Sequence, residues 1–264
     1  MRLDIHLVQH NFFVSREQAK TNIINGNVSV NGKVILKASY VVAENDKVEV
    51  LAENFIKYVS RGGLKLEKAL REFNIDCTKK VALDVGSSTG GFTDCLLQSG
   101  ASKVYSIDVG TLQLADSLKG DPRIVSIENQ NITDLTPAQV DNKLFQLIVA
   151  DLSFVSLTKV FEHFVRFLSS NGIIIVLVKP QFEAGPKALN NNGLVRNPRY
   201  HIEAIKKVSN TAEKLGFNLT NLTKTPLLER NKNIEYLALF EREKTGFVDI
   251  KKVVDEAFGK LAEL

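Results

Sequence analysis

Between Val81 and Val178 short apolar runs alternate with longer amphipathic stretches, and this rhythm organises most of the chain. The runs at 81–85, 104–107, 123–127, 144–150 and 173–178 have the length of strands, while stretches near 92–98, 112–118, 156–168 and 199–215 repeat at helical spacing. Strand and helix in turn predict a doubly wound, mostly parallel sheet. Ile173 to Val178 is the longest unbroken apolar run, suited to a strand buried on both faces and too short to span a bilayer. Phe217 to Leu222 and Ile234 to Phe240 are expected to close one edge as an antiparallel pair, and Phe247 to Leu261 to form a terminal amphipathic helix.

The first 57 residues follow another pattern. Leu3, Leu7 and Val8 give a short amphipathic helix, and Ser15 caps a second, Arg16 to Asn25, with Ala19, Ile23 and Ile24 inward and Gly26 at its end. Short β segments follow around Val28 to Val30, Val34 to Leu36 and Val48 to Val50, the first two joined by an Asn31-Gly32 turn. The expectation is a small α+β domain over 1–57, a bent linker at 58–64 and a second domain over 65–264. Leu64, Leu66, Leu70 and Phe73 stripe the helix that opens the second domain. Lys65 lies off that stripe, where a lysine is ordinarily just solvated.

Composition narrows the class. Apolar residues make up 44% and charged residues 24% of the chain, an ordinary globular balance. Arg2, Asp4, His6 and His10 interrupt the amino terminus, so no secretory leader is read there, and a cytoplasmic protein without stable membrane association is expected. Cys77 and Cys95 have no metal-type spacing and are read as ordinary thiols. The net charge of +4 is unevenly placed: seven basic against three acidic residues at 56–80, and six against two at 179–207. If both segments flank one site they form a basic rim suited to a polyanion; otherwise they are two solvated faces.

The densest chemistry is in Val81 to Asp94, VALDVGSSTGGFTD. An apolar strand ends at Gly86, a polar loop follows, and Gly90 and Gly91 open a helix whose free N–H groups point back across the loop. The spacing is not that of a dinucleotide fingerprint; D-x-G-x-x-x-G-G resembles the first motif of S-adenosylmethionine-dependent methyltransferases. Asp108 ends the next strand, where an acceptor for a ribose diol would sit. Asp151 and Lys179 also follow apolar runs, and the carboxyl ends of parallel strands share one crevice, so both are expected near the loop. Glu235 opens the run IEYLALF.

Two resemblances extend this reading. RLD followed by SREQAKTNIINGNVSVNG resembles the small alpha-L RNA-binding domain shared by a small-subunit ribosomal protein, tyrosyl-tRNA synthetases and many pseudouridine synthases. It implies an RNA interface on the second helix and hairpin, at Arg16, Lys20, Asn27, Asn31 and Lys33; independently of it, Arg61 of the linker either reaches an RNA backbone or is a solvated arginine. This copy is charge-balanced, so the domain alone is expected to bind weakly. Taken in order behind it, SRGGLKL, DVGSSTGGFTD, IDVG, ADLSF, VKPQFE and NIEYL closely resemble the TlyA family, whose members carry an FtsJ-like ribose 2′-O-methyltransferase domain and of which many are labelled hemolysins.

That resemblance implies a Rossmann-like class I methyltransferase with a mostly parallel seven-stranded sheet, S-adenosylmethionine as cofactor and ribosomal RNA, within ribosomal subunits, as partner. It carries a Lys-Asp-Lys-Glu tetrad onto Lys65, Asp151, Lys179 and Glu235. Asp84, Gly86, Ser87, Gly90 and Gly91 would surround the methionine part of the cofactor and Asp108 its ribose; Asn131 would meet the adenine or else cap a helix. A ribose 2′-hydroxyl must lose its proton as it attacks, and Lys179 is the expected base. It must then be the neutral amine, which desolvation and the second cation Lys65 favour, while Asp151 opposes this and orients the lysine. Glu235 would position Lys65 or a substrate hydroxyl. The competing classes are a membrane-active hemolysin and an RNA-binding assembly factor that holds the cofactor without chemistry.

Overall fold

The computed structural model describes residues 1–10, 12–13, 15–51, 57–111, 113–226, 231–242 and 246–263. The amino-terminal unit contains α1 (Leu3–Gln9), α2 (Arg16–Ile24), β1 (Val28–Val30), β2 (Lys33–Val34) and β3 (Val48–Val50). Its antiparallel sheet has the order β2-β1-β3. Ser15 caps α2, its Oγ accepting from Gln18 N at 3.2 Å. Asn31 and Gly32 both take positive φ, 50° and 75°, so the hairpin turns with the hand that matches strand twist. Leu3, Leu7, Ala19, Ile23, Val28 and Val30 form the core. Ile24, expected inward, is 64% exposed. It is the last residue of its helix, and Ile23 already fills the core-facing position there.

The larger unit begins with α3 (Gly62–Glu72) and continues through β4 (Val81–Val85), α4 (Gly91–Gln98), β5 (Lys103–Ile107), β6 (Ile124–Ile127), β7 (Phe145–Ala150), α5 (Leu157–Phe167), β8 (Leu168–Val178), α6 (Pro180–Glu183), α7 (Pro198–Glu213), β9 (Phe217–Lys224), β10 (Tyr236–Arg242) and α8 (Ile250–Glu263). Seven strands pair in the order β6-β5-β4-β7-β8-β10-β9. The strands from β4 to β8 run parallel, and β10 runs antiparallel to both its neighbours. The α/β class and the antiparallel edge pair are as the pattern predicts.

Alternate residues of each strand feed opposite faces. Leu83, Ile148, Val176 and Phe240 pack against Phe161, Phe164 and Val208 of α5 and α7. Ala82, Leu147, Val149, Leu177 and Leu239 pack against Leu66, Leu70 and Leu96 of α3 and α4. The chain steps outward one way from β4 to β6 and the other way from β7 to β10, so the order reverses between β4 and β7. At that reversal the loops leaving the strand ends part, and a crevice opens.

Two expectations change. The helix near 112–118 does not form: among the described residues 116–120 are turns, and Leu118 N bonds to Ala115 O at 2.9 Å. Leu114 and Leu118 have helical spacing, but Gly110 and Gly120 bound the segment too closely for a stable ladder, and Ala115 N is taken by Thr89 O at 3.1 Å. Both leucines pack on Val59 instead. Strand β8 starts at Leu168 rather than 173, because Leu168 pairs with Phe145 across the register shift.

The segment expected as a bent linker is packed. Tyr58 and Val59 are buried, and Gly62 and Gly63 form the first turn of α3. A Cβ on Gly63 would stand 2.3 Å from the Tyr58 ring, so Tyr58 seals the joint only over a glycine. Gly63→Ala is therefore expected to destabilise the fold by about 1–3 kcal/mol, measured by chemical denaturation. An unchanged denaturation midpoint would show that the joint yields freely.

Candidate active site

The crevice at the strand reversal is a cavity of about 610 Å³, a size typical of small-molecule sites. Its floor is the turn from β4 to α4. Gly86 has φ 80° and an added Cβ would meet the Asp151 carbonyl at 2.9 Å, so only glycine lets the β4 and β7 loops approach this closely. Ser87, Ser88, Thr89 and Gly91 line the cavity beside it. Ser60, Arg61 and Gly62 close it from the side of α3, where Ser60 Oγ lies 2.2 Å from the position of a Gly91 Cβ.

Four charged side chains converge from four elements: Lys65 from α3, Asp151 from the end of β7, Lys179 from the end of β8 and Glu235 from the start of β10. Lys179 Nζ lies 2.6 Å from Asp151 Oδ1 and donates to Ser153 Oγ at 2.9 Å. Lys65 Nζ lies 2.8 Å from Glu235 Oε2 and 3.8 Å from Asp151 Oδ2. Gln181 Nε2 donates to the other Glu235 oxygen at 3.2 Å. Burial works against the Lys65 charge, but Asp151 and Glu235 outweigh it and hold its pKa above the ordinary lysine value. Lys179 is 8% exposed. Pro180 begins α6 immediately after it and fixes its exit from the strand. Glu183 accepts from Leu157 N at 2.7 Å, tying α6 to the start of α5.

The cofactor candidates divide. Gly86, Ser87 and Gly91 line the cavity; Asp84, Gly90, Asp108 and Asn131 do not. Gly90, φ 91°, instead leaves room for Leu118 and Leu114, which an added Cβ would meet at 2.5 and 2.7 Å. Asp108 holds the loop, accepting from Ser88 N and Gly110 N at 2.7 Å each. Asn131 is exposed and caps the short helix Ile132–Asp134, accepting from Thr133 N at 3.1 Å, the second of its two expected roles. Asp84 is fully buried beneath the loop, where Thr93 Oγ1 donates to its Oδ2 at 2.6 Å. Its Oδ1 has no hydrogen-bond partner among the described residues.

On the amino-terminal unit Arg16 is paired with buried Asp4 at 2.8 Å. Asn27 is a correction: it is 2% exposed and donates to Asn22 Oδ1, so its amide supports the core of the unit and is not a surface contact. Lys33 is exposed and Lys20 half-buried, while Asn31 is exposed but engaged with Asp46 and Lys47 N. Arg61 faces the cavity.

The sequence reading missed Ser153, Gln181 and Phe154. Phe154 is 91% exposed and takes φ 64°, a conformation that costs a bulky residue energy. Its ring lies 5.2 Å from that of Phe182, beside Lys179. The positions of these three residues in ADLSF and VKPQFE, beside Asp151 and Lys179, were the available signal. Among the described residues no helix is long and apolar enough to cross a membrane.

A glycine-lined crevice at the strand reversal, opening onto a lysine and carboxylate network, defines a class I methyltransferase site. Residues 58–242 match the FtsJ-like methyltransferase family and residues 1–48 the S4 domain. The chain belongs to the FtsJ-like methyltransferases, and it takes its methyl group from S-adenosylmethionine. It is 35% identical, over 99% of its length and 97% of the relative's, to the 16S/23S rRNA (cytidine-2'-O)-methyltransferase TlyA of Mycobacterium tuberculosis. It is 39% identical to Hemolysin A of Brachyspira hyodysenteriae, over 91% of this chain and 99% of that one. A solved structure from Streptococcus thermophilus that carries a provisional hemolysin name superposes with a TM-score of 0.77 at 36% identity, covering 100% of this chain and 97% of that one.

Asp84 yields a testable pH dependence. Burial raises its carboxyl to about 7, against the hydrogen bond from Thr93, which lowers it. A carboxyl raised on folding keeps its proton longer than the unfolded chain does, so its contribution is present below about pH 4 and lost as the pH rises through about 7. Asp84→Asn is expected to gain thermal stability relative to the parent over that interval, read as the difference between their melting temperatures. Parallel curves would mean that Asp84 is ionised throughout.

Proposed function

We propose that the protein is a cytoplasmic ribosomal RNA methyltransferase that transfers a methyl group to a ribose 2′-hydroxyl. The single observation that carries this reading is the convergence of Lys65, Asp151, Lys179 and Glu235 in the cavity that the glycine loop floors. The activity named for the Mycobacterium tuberculosis relative agrees with it.

The residues around the loop fit the cofactor. Gly86 lets the β4 and β7 loops close together at the cavity floor, and Ser87, Ser88 and Thr89 bring hydroxyl-bearing side chains to the lining. Asp108, both oxygens already orienting the loop, keeps acceptor capacity for a ribose diol. When bound, S-adenosylmethionine supplies an electrophilic methyl group on a sulfonium. Lys179 Nζ takes the proton of the 2′-hydroxyl. Asp151 and Ser153 fix the direction of that nitrogen at 2.6 and 2.9 Å. Lys65, kept charged by Glu235 and Asp151, holds a second positive charge in the same cavity. Phe154 offers a face on which the acceptor base stacks once it leaves its helix. Alignment of hydroxyl and methyl carbon contributes up to about 7–11 kcal/mol of such a reaction's acceleration.

The amino-terminal unit supplies sequence-tolerant contacts through Arg16, Lys20 and Lys33, with Arg61 nearer the acceptor. Ribosomal subunits are the partner. Incubation of subunits with the protein and labelled cofactor, followed by mass spectrometry of the nucleosides, is expected to yield 2′-O-methylated nucleotides; their absence would sink the proposal. Lys179→Ala should abolish transfer while S-adenosylhomocysteine binds within about twofold of the parent, by calorimetry. Phe154→Ala should raise the KM for RNA roughly tenfold, since base–aromatic stacking is worth about 1–3 kcal/mol. A variant with unchanged KM would remove Phe154 from the acceptor site.

A further inference from the structure

The hairpin after α6 carries none of the tetrad, yet it is tied to the strand that does. Leu189 and Val195 form an isolated antiparallel bridge, and Asn190 Oδ1 accepts from Asn192 N and Leu194 N at 2.9 Å each. The hairpin is then held from outside at Val195, itself 2% exposed. Val195 N donates to Asn233 Oδ1 at 2.8 Å, and Asn233 Nδ2 donates to Gly193 O at 3.0 Å. On its other side the Val195 carbonyl lies 2.9 Å from His201 Nε2, and His201 Nδ1 lies 2.9 Å from the Tyr236 hydroxyl.

A carbonyl only accepts, so Nε2 of His201 carries a proton; in the neutral ring Nδ1 then accepts from Tyr236. One tautomer satisfies both contacts. His201 is fully buried, and Asn233 and Tyr236 flank Glu235 in sequence. The clamp thus fixes the hairpin to the part of β10 that delivers the tetrad's glutamate.

What the clamp presents is Leu194. Hydroxyls, amides, charged groups and glycines make up most of the cavity lining; Phe92 and Leu194 are its large apolar side chains, and Phe92 is 3% exposed. Leu194 is half-buried. Strand order places the β10 end three strands from β4, roughly 14 Å at the usual strand spacing. A leucine held at the β10 side faces the group that meets Lys179 and Glu235, and the glycine loop faces the methyl donor.

We propose that Leu194 is a binding residue for the acceptor nucleotide, packing on the carbon face of its ribose, and that Asn233 is the positioning residue that holds it there. The proposal rests on the acceptor being a ribose, as inferred above. The asymmetry is chemical: a ribose has one hydroxylated edge, which the tetrad engages, and a carbon face that gains by meeting an apolar wall.

The test uses the full chain and ribosomal subunits, with direct binding of the subunits measured beside steady-state kinetics. Leu194→Ala is expected to weaken subunit binding and raise the KM for subunits about tenfold, the loss expected from exposing part of a buried leucine contact. Its kcat and its affinity for S-adenosylhomocysteine should stay within about twofold, and Leu194→Met should restore binding. Asn233→Ala should reproduce the pattern, and the double variant should be no worse than either single one, because both remove the same contact. Subunit binding unchanged in Leu194→Ala, or additive losses in the double variant, would overturn the proposal. Failure of the parent protein to methylate the subunits would defeat the proposed reaction, and the binding comparison would still decide the role of Leu194.

Discussion

The site depends on one carboxylate placed between two lysines. Lys65 and Lys179 enter the same cavity, and Asp151 lies within 4 Å of both. Glu235 supplies the second negative charge, so the network is balanced within the cavity. Breaking a buried network by removing one member costs more than the pair itself contributes, because an uncompensated charge remains. The four residues are therefore a unit. Each comes from a different element, and the sheet must hold α3, β7, β8 and β10 in register for the unit to exist.

The strand reversal between β4 and β7 supplies the other requirement. It parts the loops that leave those strands, and the glycine at position 86 then allows the two loops to touch where any side chain would force them apart. Beneath the loop, Asp84, Thr93 and Ser106 form a buried polar stack. Above it, the linker is drawn in: Val59 N donates to Asp94 of α4 at 2.9 Å. Gln18 and Thr21 of α2 bond to the Lys57 and Val59 carbonyls at 2.8 and 3.1 Å. The amino-terminal unit and the glycine-loop helix thus grip the same short segment.

Charge and shape divide the work of recognition. The described cavity lining is mostly polar and charged, with Phe92 and Leu194 as its large apolar side chains. A ligand with a polar edge and a carbon face satisfies both.

Much of this was legible in the sequence, for identifiable reasons. Strand runs such as Ile173 to Val178 are written in composition, because a strand buried on both faces must be apolar throughout. The glycine loop is written in spacing. Lys65, Asp151, Lys179 and Glu235 were legible through the ordered motifs around them, although Lys65 considered on its helix alone was an ordinary solvated lysine. The helix expected near 112–118 failed because leucines four residues apart fit a turn packed on Val59 as well as they fit a helix. Asn27 failed because an amide in a hairpin module reads the same whether it faces RNA or Asn22. Residues whose task depends on long-range partners were out of reach: Gln181 on Glu235, His201 on Val195, Asn233 on the hairpin. By itself the sequence determined the elements and the types of chemical group, since periodicity and spacing are local. Only the tertiary structure decided which groups meet, because burial, ion pairing and hydrogen bonding between distant segments are properties of the packed chain.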